Sequence, residues 1–206
     1  MLKIKHFIQQ SWLLIISSFC FGLLIAVTSA ALSPRIEQNE RDKLNKLMKG
    51  LIIEAEDFEV AIEGARIPGR KGKVARTDIY RALDGNGRSI GFAFVAVGSG
   101  FADKIKLVIA VDGSCRNFFG FKVLSSNETP GFGSKIKEDY LGEQFRNAPA
   151  GKVELVKTGD AKKIDSEIVA ISGATVSSEA VVKIFNRYIG KVKEAVQAKQ
   201  LTGNGE

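Results

Sequence analysis

Residues 171–178 bring four hydroxyl side chains into a short run of small residues, Ile-Ser-Gly-Ala-Thr-Val-Ser-Ser. Gly173 and Ala174 leave the hydroxyl of Thr175 sterically open, and the apolar pattern of a helix follows directly. The start of a helix presents unpaired N–H groups and the positive end of the helix dipole, which together favour a phosphate. The pattern indicates a place where a phosphorylated ligand can be held or attached.

The same run is also typical of an ordinary helix entry. In that interpretation Ser177 or Ser178 is the N-cap, and Glu179 lies in the first turn.

A secreted hydrolase with Ser172 or Thr175 as its nucleophile is not supported. The chain has one histidine, His6 at the basic N-terminus, and no nucleophile-elbow pattern.

A second motif, Asn-Glu-Thr-Pro-Gly-Phe-Gly, occupies residues 127–133. Pro130 fixes its own φ and pushes Thr129 into an extended conformation, while Gly131 and Gly133 permit left-handed or closely approached backbone. Such a stretch can be a plain strand-to-helix turn. It is also the rigid, backbone-rich edge that a planar cofactor ring needs, with Phe132 as apolar cover.

The elements that must position these motifs follow from the hydrophobic pattern. Phe58, Val60 and Ile62 alternate with polar residues as in a half-buried strand, and a Gly- and basic-rich loop is predicted over residues 64–73. Four further strands are expected near residues 74–83, 90–97, 105–111 and 118–124, with turn signals at 84–87 and 112–113.

A short helix over 134–145, a strand over 153–157 and a long helix from Ser178 to about Lys199 complete the prediction. The long helix carries one apolar stripe, formed by Val181, Phe185, Tyr188, Ile189, Val192 and Val196. Strands in succession with helices gathered late predict an α+β domain with an antiparallel sheet.

Residues 12–32 contain no charged side chain, and as a helix they would span about 30 Å, the thickness of a bilayer core. Lys3 and Lys5 precede this run, so the positive-inside rule predicts a cytoplasmic N-terminus and an extracytoplasmic body. A cleaved signal peptide is the alternative, because Ser29-Ala30-Ala31 could serve as a cleavage site. The length of the run and the helical pattern that follows favour an uncleaved anchor.

Composition excludes several classes. The net charge is +7, but the basic residues are scattered and no nucleic-acid motif is present, so an acidic lipid surface or an acidic partner is the better interpretation. Cys20 and Cys115 suggest neither a disulfide framework nor a metal site.

The two motifs, in this order after an N-terminal anchor, resemble those of the FMN-binding family. That family includes the G subunit of the Rnf electron-transport complex and the C subunit of the sodium-translocating NADH:quinone reductase. The resemblance covers the anchor, the strands, both motifs and the final helix. Two positions depart from the family pattern: Val169 stands where an acidic residue is usual, and Phe132 where an aliphatic one is usual.

The resemblance implies that a flavin transferase attaches FMN by a phosphoester to Thr175, within the segment Ser172, Gly173, Ala174 and Ser177. It further implies that Glu128, Thr129, Pro130 and Gly131 lie beside the isoalloxazine ring. The expected role is an electron relay with no catalytic or metal-binding residues of its own. Its expected partners are the other members of a ferredoxin:NAD oxidoreductase complex that translocates ions across the bacterial inner membrane, together with membrane lipid.

The resulting domain prediction is a cytoplasmic segment 1–11, an anchor 12–32, a helical linker 33–56, an FMN-binding domain 57–200 and a tail 201–206. A membrane-anchored sensory or binding module with non-covalent flavin, or with none, is the alternative function.

Overall fold

The structure is a computed structural model that describes residues 2–68 and 74–199, with side chains from Ser11 onward. The chain divides into two compact units, Met1–Lys43 and Leu44–Glu206.

Helix α1 runs from Leu2 to Leu51 without a break, continuing past Pro34 although proline has no N–H to donate to the preceding turn. Within the described residues it is the one helix long and apolar enough to cross a membrane, over Ser11–Leu51. The predicted helical continuation beyond the apolar run is therefore confirmed as far as Leu51. Residues 52–56 form a turn and not the last part of a helical linker.

Five antiparallel strands follow in the order β1-β2-β3-β4-β5, so the predicted meander is confirmed. Their bounds are Asp57–Pro68, Val74–Leu83, Ser89–Ser99, Lys104–Asp112 and Phe118–Ser126. The first part of the predicted loop over 64–73 is wrong, because Ala65–Pro68 pair with β2. Register shifts around residues 60–65 accommodate Gly64 at a positive φ of 58°, so the glycine marks a bulge inside the strand. Residues 69–73 lie outside the described part of the chain.

Both faces of the sheet are covered. On one face Phe92, Phe94 and their neighbours pack against the C-terminal helix. On the other face Ala93, Val108 and Ala110 pack with Met48 and Ile52 from the end of α1 and the turn after it. Because both faces of the sheet are covered, nearly every residue of β4 is buried. The sequence of this strand is therefore a run of apolar residues and does not alternate between apolar and polar ones.

The remaining elements come after the sheet. A 3₁₀ helix spans Gly133–Lys137 and α2 spans Asp139–Phe145, so the single short helix predicted there is two pieces separated at Glu138. The short strands β6, Glu154–Val156, and β7, Glu167–Val169, pair in parallel, and β7 was not predicted.

Helix α3 spans Thr175–Ala198, and all six residues of its predicted apolar stripe are buried. Tyr188 also accepts a hydrogen bond from the backbone N–H of Val97 at 3.1 Å, which ties this helix to β3. The α+β class with an antiparallel sheet is confirmed.

Candidate functional site

A cavity of about 420 Å³ opens where three segments of the Leu44–Glu206 unit meet. The segments are the loop between β3 and β4, the turn after β5 and the start of α3. The two motifs that the sequence separates by some 40 residues thus form one site. The lining residues are Phe101, Glu128, Thr129, Phe132, Gly133, Gly173, Ala174, Thr175, Val176 and Ser177.

The start of α3 differs from the sequence prediction. Ala174 is the N-cap, and no side chain caps the helix. The prediction of Ser177 or Ser178 as N-cap is wrong, because both lie inside the first turns. A turn closed by the Ala174 N–H to the Ile171 carbonyl at 2.9 Å sets this earlier start, with Gly173 at a positive φ of 77°.

Ser178, inside the helix, stabilises that turn with two hydrogen bonds. Its hydroxyl donates to the Ala174 carbonyl at 3.0 Å and accepts the Ile171 N–H at 3.1 Å. The loop before α3 is therefore a fixed structure, although Ser172 and Gly173 are exposed. Ser172 does not line the cavity, whereas Gly173 and Ala174 do.

Thr175 is the first residue of α3, half-buried on the cavity wall. Its hydroxyl makes no hydrogen bond to any residue that the structure describes. Because no side chain caps the helix, the N–H groups of its first turn have no side-chain acceptor. A hydroxyl and a set of unpaired donors therefore meet at one end of the cavity.

Glu128 is buried, with 5 % of its surface exposed, and it joins all three segments. Its Oε2 accepts a short hydrogen bond from the Ser177 hydroxyl, and its Oε1 accepts the Ala102 N–H at 3.0 Å. Ser177 thus pairs with the glutamate, a role that the sequence did not indicate. This carboxylate connects the start of α3 to the other two walls.

The two glycines of the turn have different roles. Gly131 has a positive φ of 76° and open space around it, and its N–H donates to the Ser134 hydroxyl at 3.0 Å. At Gly133 a Cβ would lie 2.6 Å from both Glu128 Oε2 and Ser177 Oγ, so glycine is required there for close approach. Thr129 lines the cavity, whereas Pro130 and Gly131 are exposed and lie outside its walls.

Phe101 and Val176 line the cavity although sequence reasoning did not assign either to the site, and Phe101 lies outside both motifs. It lies on the loop between β3 and β4, which carries no recognisable motif, and it lines the cavity together with the expected Phe132. Its position between Gly100 and Ala102 in a hairpin connection gives no signal in the sequence, and its exposure is seen only in the structure.

The chemistry of the cavity fits a flavin mononucleotide. Its volume lies in the range of small-molecule sites, its walls include aromatic and aliphatic side chains, and one end is an uncapped helix start. An apolar wall suits the ring, and the helix start suits the phosphate.

Comparisons with known proteins agree with this fit. A family model described as an FMN-binding domain matches residues 100–190, which include all three segments of the cavity. The chain is 32% identical over 186 residues to the G subunit of a proton-translocating ferredoxin:NAD(+) oxidoreductase complex from Clostridium ljungdahlii, covering 89% of this chain and 86% of that protein. It is 28% identical to the G subunit of a Na(+)-translocating complex from Acetobacterium woodii, covering 91% and 96%.

Among solved structures, the C subunit of a Na(+)-translocating NADH-quinone reductase from Parabacteroides distasonis superposes with a TM-score of 0.57. The identity is 18%, over 83% of this chain and 98% of that one. This likeness establishes the fold, and the family model defines the class as an FMN-binding domain. The chain belongs to the FMN-binding family, among the G subunits of ion-translocating oxidoreductase complexes.

Proposed function

We propose that this protein is the electron-relay component of an ion-translocating ferredoxin:NAD oxidoreductase complex, with FMN attached to Thr175 through a phosphoester. The observation that carries the proposal is the position of Thr175. Its hydroxyl is unbonded within the described structure and lies on the cavity wall at the first residue of an uncapped helix.

Each part of the ligand has a counterpart in the chain. The unpaired N–H groups and the dipole of α3 stabilise the phosphate charge next to the ester oxygen. Thr129 and Phe132 form the wall of the cavity on the side of the Glu-Thr-Pro-Gly turn. Bound FMN supplies the electron-transfer chemistry, while the protein supplies attachment, orientation and a restricted water space.

The placement in a membrane complex rests on the relatives and on α1. The related proteins from Clostridium ljungdahlii and Acetobacterium woodii belong to complexes that translocate protons and sodium ions respectively. This chain therefore has the other proteins of such a complex as its partners. Its helix α1 crosses the membrane and is surrounded by lipid. The FMN-binding domain lies on the extracytoplasmic side, where a flavin transferase modifies it.

The test is peptide mass spectrometry of the full chain co-produced with a flavin transferase. The peptide that contains Thr175 should carry the mass of FMN less one water, and the protein should fluoresce in a denaturing gel. Thr175→Ala should lose both signals. Ser166→Ala is the matched control, because this hydroxyl is exposed, outside the cavity and outside the attachment segment.

Attachment at another residue, or fluorescence that survives in Thr175→Ala, contradicts the proposed attachment. Flavin that co-purifies with the folded protein but is lost in the denaturing gel supports the alternative, a non-covalent FMN-binding or sensory module.

A further inference from the structure

Phe101 is a large apolar side chain that stays open to solvent at the edge of the cavity. Its exposed fraction is 71%, and two more large apolar lining residues, Phe132 and Val176, are 61% and 54% exposed. Single exposed apolar residues are common on protein surfaces. Three around one cavity form a local apolar surface, which is typical of a site that a ligand covers.

The loop that carries Phe101 is held in place by three hydrogen bonds. The Gly100 N–H donates to the Asp103 carbonyl at 2.7 Å, and the Ala102 N–H donates to Glu128 Oε1 at 3.0 Å. The Asn127 side-chain amide donates to Asp103 Oδ2 at 2.9 Å. Two of these bonds join the loop to Asn127 and Glu128 in the turn that also carries Phe132. The loop with Phe101 and the turn with Phe132 are therefore held together.

The residue before Phe101 must be glycine for this arrangement to form. A Cβ on Gly100 would clash with Glu128 Oε1, and it would lie 2.7 Å from the Asp103 carbonyl oxygen and 2.8 Å from Ile105 Cδ1. The pKa of Asp103 is lowered, first by the hydrogen bond from the Lys104 backbone N–H and then by Asn127, so its carboxylate stays an acceptor. The loop is therefore held in one conformation that places the Phe101 ring at the cavity.

We propose that Phe101 is a ring-contacting residue of this site, against which the isoalloxazine ring of the bound flavin packs. This proposal rests on the proposed function, because the ring is that of FMN attached to Thr175. A flat aromatic ring joined through a ribityl chain to a charged phosphate matches an apolar wall of Phe101 and Phe132 beside an uncapped helix start. Aromatic rings pack favourably face to face with an offset or edge to face, which selects a planar ligand over an aliphatic one.

The experiment uses the full chain in detergent, co-produced with a flavin transferase, as wild type, Phe101→Trp and Phe101→Ala. Tyr140→Trp and Tyr140→Ala are the matched controls, because Tyr140 is an exposed aromatic residue of α2 outside the cavity. Denaturing-gel fluorescence first establishes that all variants carry the same amount of flavin. Flavin fluorescence, its quenching by iodide and the redox potential are then measured in the folded protein.

A tryptophan in contact with a flavin quenches its fluorescence by electron transfer. Phe101→Trp should therefore lower the fluorescence several-fold, and Phe101→Ala should raise iodide quenching and shift the potential. Both Tyr140 variants should match wild type. If the Phe101 variants also match wild type in all three measurements, the proposal is wrong. Phe101 variants that match wild type in these measurements but co-purify less of the other membrane proteins of the complex would show that Phe101 contacts a protein. That result would also overturn the proposal.

Failure of the proposed function is a separate outcome. If wild type carries no flavin through the denaturing gel, covalent attachment fails, and free FMN is titrated into the same variants. Quenching by Phe101→Trp and weaker binding by Phe101→Ala then still support the ring contact, and FMN binding that is equal in all variants contradicts it.

Discussion

Ser177 and Glu128 are 49 residues apart in the chain and meet in a buried hydrogen bond, in which the Ser177 hydroxyl donates to Glu128 Oε2. The other carboxylate oxygen accepts the Ala102 N–H. No ion pair involves Glu128 among the described residues, so hydrogen bonds alone compensate for its burial. The geometry of the site therefore depends on both partners of this pair.

Ser177→Ala should destabilise the domain by about 1–3 kcal/mol, because it leaves one oxygen of a buried carboxylate without its donor. Denaturant unfolding of the full chain measures the change. Ser177→Thr keeps the hydroxyl and should lose less stability, and Ser172→Ala, at an exposed position, should match wild type. Equal stability of Ser177→Ala and Ser172→Ala would contradict the role of this hydrogen bond.

Glu128→Gln tests whether the shape or the charge of this side chain matters. The amide can donate to Ser177 Oγ while its oxygen still accepts the Ala102 N–H, so we expect the fold and flavin attachment to be kept. Glu128→Ala removes both bonds and should lower the unfolding midpoint and the attached fraction together. A Gln variant that is as impaired as the Ala variant would show that the negative charge itself is required.

Gly133→Ala should destabilise the turn, since the added Cβ would meet Glu128 Oε2 and Ser177 Oγ at 2.6 Å. These atoms are buried and mutually bonded, so they have little freedom to move, and a cost of about 1–3 kcal/mol is expected for such overpacking. Gly151→Ala is the control, with open space around its Cβ and no positive φ. Unfolding midpoints of the two variants decide the matter, and equal midpoints would show that the turn can relax.

Cys115 should make stability depend on pH in the alkaline range. Burial, assisted by Asp112, raises the pKa of this thiol from 9.0 to about 11. Because the folded-state pKa lies above the unfolded one, the thiol's contribution is complete below pH 9 and is lost as the pH rises towards 11. Unfolding of the full chain in a Cys20→Ser background should show this loss, and Cys115→Ala should lack it. Identical pH profiles would contradict the prediction.

The topology prediction rests on Lys3 and Lys5 ahead of an uncharged run of spanning length. A C-terminal alkaline phosphatase fusion, active only outside the cytoplasm, should be active, and a C-terminal reporter that works only in the cytoplasm should be silent. Lys3→Glu with Lys5→Glu should reduce the phosphatase activity. The opposite reporter result contradicts this topology, while a mature N-terminus at Ala31 or Leu32 would identify a cleaved signal peptide.

Most of the fold followed from local patterns in the sequence. The turn signals at Asp84 and Asp112 separate strands whose bounds were predicted to within two residues. The strand β7 was missed because three residues carry no periodicity, and its position depends on a distant contact. The buried side chain of Gln144 accepts the Val169 N–H at 2.7 Å and donates to its carbonyl at 3.1 Å.

The lining of the cavity was predictable where its residues lie in one motif, as for Thr175, Glu128 and Thr129, although Pro130 and Gly131 of the same turn lie outside the walls. It was not predictable where residues act across the chain. Ser177 resembled a helix cap because a hydroxyl near a helix start normally is one, and only the tertiary structure pairs it with Glu128. Phe101 gave no signal, because its role depends on a loop fixed by Asn127 and Glu128 from another hairpin.

Helix α3 is the last element of the described chain, and it supplies both Thr175 and one wall of the cavity. During synthesis the β3–β4 loop and the Glu128 turn emerge first, and neither can enclose a ligand until α3 has docked on the sheet. The site therefore comes into existence only after α3 has been synthesised and has docked. A transferase that recognises the assembled cavity would pass over chains cut before α3 and modify those in which this helix has docked, so the cofactor would also mark domains that have folded.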